Sequence, residues 1–261
     1  MKLQVTTFIT IAIASAIMTG SLMTVSAHDC TVPPCYEIET DVASTIDAGS
    51  IEYKFQIIDE VANAFITDQE LDLFHEKLLH FIIFDPALME YQHVHPEFKD
   101  GNWVVALNLL VNGRYWIYVQ GKSKELQKEF TINTRLAITN GSQANAVVLL
   151  GEQRIGASGD SVVTITNDKL RANQMAMPLI SFSRSDGTTP VLTPYLGALA
   201  HVVIAGDSGK SFLHVHPMDS NLPNQFMLHT TFPHEGSYRV WVEFIDGGIL
   251  KRVPLSVTVG P

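Results

Sequence analysis

From Tyr36 onward, apolar residues, many of them β-branched or aromatic, come in short runs bounded by Gly, Asn, Asp or Pro. Runs of that length and composition are the signature of strands. They predict strands over residues 36–40, 51–58, 78–84, 91–95, 103–110, 115–120 and 129–134. A second series follows over 162–166, 177–183, 201–205, 212–216, 225–232, 238–244 and 254–259. Residues 65–76 are the one stretch that suits a short helical turn, and Ala146 to Leu150 is apolar enough to be a further strand. Asp186-Gly187 and Asp246-Gly247-Gly248 supply the positive-φ residues of hairpin turns. Two series of about seven strands with no sustained helical period predict an all-β protein of two tandem antiparallel sandwiches. The expected boundaries are residues 28–135 for the first domain, 136–159 for a connector and 160–261 for the second domain.

The two series are copies of one module. His93-Val94-His95-Pro96 recurs as His214-Val215-His216-Pro217, and each is preceded at a distance of 13 residues by another histidine, His80 or His201. Downstream, Asn112-Gly113-Arg114-Tyr115-Trp116-Ile117-Tyr118-Val119 matches Glu235-Gly236-Ser237-Tyr238-Arg239-Val240-Trp241-Val242. Alternation along a strand puts His93 and His95 on one face, with His80 across a hairpin. The same holds for His214, His216 and His201. Three imidazoles on a rigid sheet face form a recurrent shell for Cu²⁺ or Zn²⁺. The expected metal ligands are therefore His80, His93 and His95 in the first copy and His201, His214 and His216 in the second. The competing reading makes these side chains partly buried groups that hydrogen-bond a loop backbone.

Other features narrow the function. Met1-Lys2, an apolar run to Met23 and Val25-Ser26-Ala27 read as a cleaved signal peptide over residues 1–27. A periplasmic or secreted protein with no membrane span in its mature chain is expected. Cys30 and Cys35 flank a four-residue segment and suit a disulfide in an oxidising compartment, the alternative being a thiolate pair with His28. The formal net charge of −10 argues against a nucleic-acid partner. Met175, Met177 and Met218 hint at a Cu(I) thioether site, although methionines at strand spacing are more often core filler. His229 and His234 have no counterpart in the first copy and read as exposed loop residues. No cysteine lies near the histidine motifs, which disfavours a blue-copper centre.

Tyr195-Leu196-Gly197-Ala198-Leu199-Ala200-His201, then Phe212-Leu213-His214-Val215-His216-Pro217, then Phe232-Pro233-His234-Glu235-Gly236-Ser237-Tyr238-Arg239-Val240-Trp241-Val242-Glu243-Phe244 resembles a module of exported bacterial proteins often found beside copper or heavy-metal handling genes. The resemblance is close over residues 175–259 and looser over 51–134. It implies a periplasmic protein with an immunoglobulin-like or cupredoxin-like fold. The expected function is transition-metal binding, copper before zinc, for storage, delivery or resistance, with a metal-delivery protein as a partner. The alternatives are a structural or adhesive tandem sandwich with structural histidines, and a zinc-dependent hydrolase or hydratase in which Glu97 serves as base.

Overall fold

The computed structural model describes residues 33–147, 150–166, 169–206, 209–215, 217–219 and 224–261. The signal-peptide stretch, His28, Cys30 and His216 lie outside them. The first sandwich contains β1 (Tyr36–Glu39), β2 (Thr45–Asp47), β3 (Gly49–Asp59), β4 (Ala64–Ile66), β5 (Leu71–Asp72), β6 (Leu79–Phe84), β7 (Tyr91–Val94), β8 (Glu97–Lys99), β9 (Asn102–Leu109), β10 (Gly113–Ser123) and β11 (Glu129–Thr139). The second contains β12 (Ile155–Ser158), β13 (Ser161–Thr166), β14 (Leu170–Arg171), β15 (Met175–Ala176), β16 (Leu179–Arg184), β17 (Leu192–Thr193), β18 (His201–Gly206), β19 (Phe212–Val215), β20 (Met218–Asp219), β21 (Gln225–Met227), β22 (Thr230–Thr231), β23 (Gly236–Asp246) and β24 (Ile249–Gly260).

Strand order makes both sandwiches immunoglobulin-like. In the first, β1-β3-β9-β8 faces β2-β11-β10-β6-β7, with β2 parallel to β11. This is the A-B-E-D sheet against the G-F-C-C′ sheet, with a split first strand joining the latter. The second repeats it as β13-β16-β21-β20 against β14-β24-β23-β18-β19, with β14 parallel to β24 and β12 added outside β13. Each copy also has a tyrosine corner. The Tyr115 hydroxyl donates to the Val111 carbonyl at 3.0 Å, and that of Tyr238 donates to the His234 carbonyl at 2.9 Å.

Some expectations change. Residues 65–76 form no helix; Ala64–Ile66 and Leu71–Asp72 pair with β3 and β10 instead. Burial of Ile66 and Leu71 in the sandwich core outweighs the weak local helical pattern. The supposed connector is shorter at both ends. Leu136 and Ile138 on β11 belong to the first core, and β12 pairs with β13 of the second sandwich. Ala146 and Val147 lie outside any strand, and Val148 and Leu149 outside the described residues. Cys35 is buried and disulfide-bonded.

The two sandwiches lie within one compact unit, Pro34–Pro261. Their contact follows from a sequence feature that alternation does not explain. β6 and β18 are buried at every position, so both faces of each sheet are covered. Leu79, Phe81 and Ile83 face the first core, and Val202 and Ile204 the second. The intervening Ile82, Phe84, Val203 and Ala205 enter a third core together with Trp116, Tyr118, Tyr91 and Trp241. Across this junction Tyr91 stacks on Trp241 (4.3 Å, 12°) and Phe212 on Tyr118 (4.2 Å, 11°). Tyr91 corresponds to Phe212 in the repeat, and Tyr118 to Trp241. The pairing is therefore reciprocal, as across a two-fold axis. The duplicated modules meet as a homodimer would, inside one chain.

Gly209 lies against the junction residue Trp116. Its φ is +69°, and an added Cβ would lie 2.1 Å from Trp116 Nε1. Gly209→Ala is expected to cost about 1–3 kcal/mol through overpacking, read as a lower denaturation midpoint. An unchanged midpoint would mean that the junction yields at this point.

Candidate metal centre

His80 alternates with Phe81 and Ile83, so it shares the junction face with Ile82 and Phe84. His93 is registered against Ile82, and Tyr91 against Phe84. In the second copy His201 shares the junction face with Val203 and Ala205, and His214 is registered against Val203. The histidines of both copies therefore approach the same junction from opposite sides. Separate sites, one per sandwich, were expected; among the described residues there is one shared cluster.

One candidate ligand atom from each of His80, His93 and His95 lies within 4.8 Å of the others. The ring centres of His80 are 5.2 Å from His93, 4.9 Å from His95, 5.1 Å from His214 and 6.4 Å from His201. His93 is 5.1 Å from His214 and 6.1 Å from His201, and His201 is 5.7 Å from His214. With metal–nitrogen bonds of about 2.0 Å, ring centres sit about 3.2 Å from a shared ion. Two ligating rings are then about 5 Å apart at the tetrahedral angle and about 6.4 Å apart when opposed. The observed spacings fall in that interval.

Hydrogen bonds fix which nitrogen each ring turns outward. His80 Nε2 donates to the Phe74 carbonyl at 2.8 Å, and His201 Nε2 to the Tyr195 carbonyl at 2.8 Å. His93 Nδ1 donates to the Glu243 carboxylate at 2.6 Å, and His214 Nδ1 to Gln120 Oε1 at 2.8 Å. The last two bonds cross the junction, and Glu243 and Gln120 are equivalent positions of the repeat. Each ring thus has one nitrogen protonated toward a protein acceptor, which makes the other its ligating atom. Backing of this kind is what metal-bound imidazoles usually have. His80 Nδ1 and His93 Nε2, the nitrogens left over, lie 2.9 Å apart. The contact requires one proton between them, which a metal ion would displace.

Burial favours the neutral form of His80, His95 and His201. Burial pushes His80 down to about 2 and His95 down to about 3, each assisted by the neighbouring His93. Burial lowers His201 too. Burial alone would raise Glu243, but the hydrogen bond and charge of His93, with the Arg252 guanidinium, hold it below the usual carboxylate range. Arg252 Nε donates to Glu243 Oε1 at 2.8 Å. The His95 Nε2 atom is buried and has no hydrogen-bond partner. His95 and His93 line an open cleft of about 520 Å³ together with Glu52, Lys77, Glu97 and Lys99. This is a route from solvent to the cluster.

Three participants escape the repeat pattern. His75 lies in a turn closed by the Phe74–Lys77 pair of backbone hydrogen bonds, with φ of 50° at His75 and 65° at Glu76. Its ring is 6.0–6.4 Å from those of His80, His201 and His214. The copy-two turn has Leu196 there, so comparison of the copies passes over it. Glu243 and Gln120 were legible as one polar position kept within two apolar strands. His229 and His234 are exposed, in line with the sequence reading.

A family profile described as a domain of unknown function (DUF8832) matches residues 157–260, the second sandwich. No curated protein matches the chain. Among solved structures, a titin fragment is similar at 11% identity and a TM-score of 0.25, covering 87% of this chain and 66% of that one. The Escherichia coli adhesin FdeC is similar at 13% identity and a TM-score of 0.28, covering 87% and 63%. The chicken interferon gamma receptor alpha chain follows at 11% and 0.27, covering 82% and 98%. The chain spans a little under two thirds of the first two. The fold assignment rests on strand order and the tyrosine corners.

Proposed function

We propose that this is an exported transition-metal-binding protein, copper before zinc, serving storage, delivery or resistance. The ion is held at the junction of the two sandwiches. His80, His93 and His95 are its primary ligands, and His201 and His214 complete the shell from the other side. The observation that carries this reading is the tethering of four outer imidazole nitrogens to protein acceptors, which leaves His80 Nδ1 and His93 Nε2 facing each other. Neutral imidazoles suit both metals, and Cu²⁺ binds such sites more tightly than Zn²⁺. Export is supported by the leader-like start of the chain and by the disulfide at Cys35, which persists in oxidising compartments.

The test is titration of the purified mature chain with Cu²⁺ and Zn²⁺, with bound metal counted per chain. His80→Ala and His201→Ala are expected to abolish the same uptake event, because one cluster serves both copies. Gln120→Ala should weaken binding by about 10–100-fold. Absence of uptake at micromolar metal, or uptake unchanged by His80→Ala and His93→Ala, would sink the proposal. The second reading has its own support. The bonds from His93 to Glu243 and from His214 to Gln120 tie the sandwiches together, so the cluster would act as a structural clasp without any ion.

A further inference from the structure

Beyond residue 27 the chain has five methionines, Met89, Met175, Met177, Met218 and Met227. Four of them fall on one face of two adjoining sheets, β15-β22 and β16-β21-β20. Met175 pairs with Thr231, and Leu179 with Met227. The register is the same on both sides of Pro178, where the Leu228 amide donates to the Pro178 carbonyl. Met177 therefore stands opposite His229. On the next strand Met218 is paired with Met227. Side chains at alternate positions, Ile180, Phe226 and Leu228, fill the second core. The methionines and His229 thus share the opposite, outer face. Met175 is 67% exposed and Met177 and Met218 are each 48% exposed, so they are not core filler.

We infer that this outer face carries a second metal site, for a soft monovalent cation, Cu(I). Thioether sulfur selects Cu(I) over harder ions. Opposed residues on paired strands have Cβ atoms about 4.5–5.5 Å apart, and diagonal neighbours about 7–8 Å. Met177, His229 and Met227 form the centre of the group at those separations. Met175 lies one row beyond on one side, and Met218 lies beside Met227. Long unbranched thioethers can close on one ion from such positions. A solvent-facing sheet face has no packing need for so many methionines. The site is on the sheet turned away from the junction, so it is separate from the histidine cluster and differs from it in ligand softness.

The experiment is anaerobic Cu(I) titration of the mature chain against a colorimetric chelator, with X-ray absorption of the loaded protein. The combined Met175→Leu, Met177→Leu, Met218→Leu and Met227→Leu variant keeps side-chain size on an exposed face, and circular dichroism verifies its fold. Wild type should bind a Cu(I) equivalent with sulfur scattering. That equivalent should survive in His80→Ala/His93→Ala and weaken at least tenfold in the leucine variant and in His229→Ala. The leucine variant should retain full Cu²⁺ uptake. The inference is overturned by no Cu(I) binding in wild type, by equal Cu(I) binding in the leucine variant, or by its loss with the junction histidines alone. Loss of Cu²⁺ uptake without loss of Cu(I) would fail the junction proposal and leave this one standing.

Discussion

Replacing Glu243 with alanine should destabilise the metal-free protein by about 3–5 kcal/mol, the range for removing one partner of a buried ion pair. Glu243 and the His93 side chain are almost wholly buried, and they meet at 2.6 Å across the junction. Arg252, the other partner, is 37% exposed and can rehydrate when the carboxylate is lost. His93 cannot, so the cost falls on the ring left without an acceptor. Glu243→Gln keeps an acceptor and copies the residue that the first module carries at Gln120, so it should cost distinctly less. Gln120→Ala removes a neutral acceptor and should cost about 0.5–1.5 kcal/mol. Guanidinium denaturation of the three variants checks the order. Equal losses for Glu243→Ala and Gln120→Ala would mean that the carboxylate's charge contributes nothing at the junction.

That asymmetry between equivalent positions follows from the duplication. Tyr91 on Trp241 and Phe212 on Tyr118 preserve the reciprocal contact of a symmetric pair, as do the turns at Phe74–Lys77 and Tyr195–Ala198. Once both halves lie in one chain, the two copies of a contact can diverge. One polar position is a carboxylate and the other an amide, and one turn carries His75 where the other has Leu196. A cluster built on the axis draws ligands from both halves, and a change on either side alters the same site.

Strand positions were legible because alternation survives in most of the chain, and the repeated histidines marked the junction face. The junction itself has no such period. Its clue is the unbroken apolar character of Phe81–Phe84 and Val202–Ala205, which signals burial on both faces but cannot name the covering partner. Sharing one cluster between copies needs the relative placement of the two sandwiches, which no local period encodes. The methionine face depends on strand register across residues about fifty apart in sequence, such as Met177 and His229. The spacing of Met175 and Met177 alone left core packing as the better reading. Exposure at 67% and 48% reverses it.

Acid should begin to destabilise the metal-free protein before ordinary carboxylates titrate. An unfolded histidine binds its proton near pH 6.5. Burial holds His80 down to about 2 and His95 down to about 3 in the folded chain, and lowers His201 as well. Below pH 6.5 the unfolded chain therefore takes up protons that the folded one refuses. The stability is present above that value and is lost as pH falls. Two refused protons give a slope of about 3 kcal/mol per pH unit, and a third steepens it. A stability of about 5 kcal/mol, the low end of the usual range, is lost at that slope some two units below pH 6.5. Denaturant titrations at successive pH values measure the slope directly, and His80→Asn should reduce it by about one proton. A flat profile from pH 7 to 4.5 would show that the buried rings are already charged in the folded state. A bound ion, competing with protons for the same nitrogens, should add to stability at neutral pH and give it back more steeply on acidification.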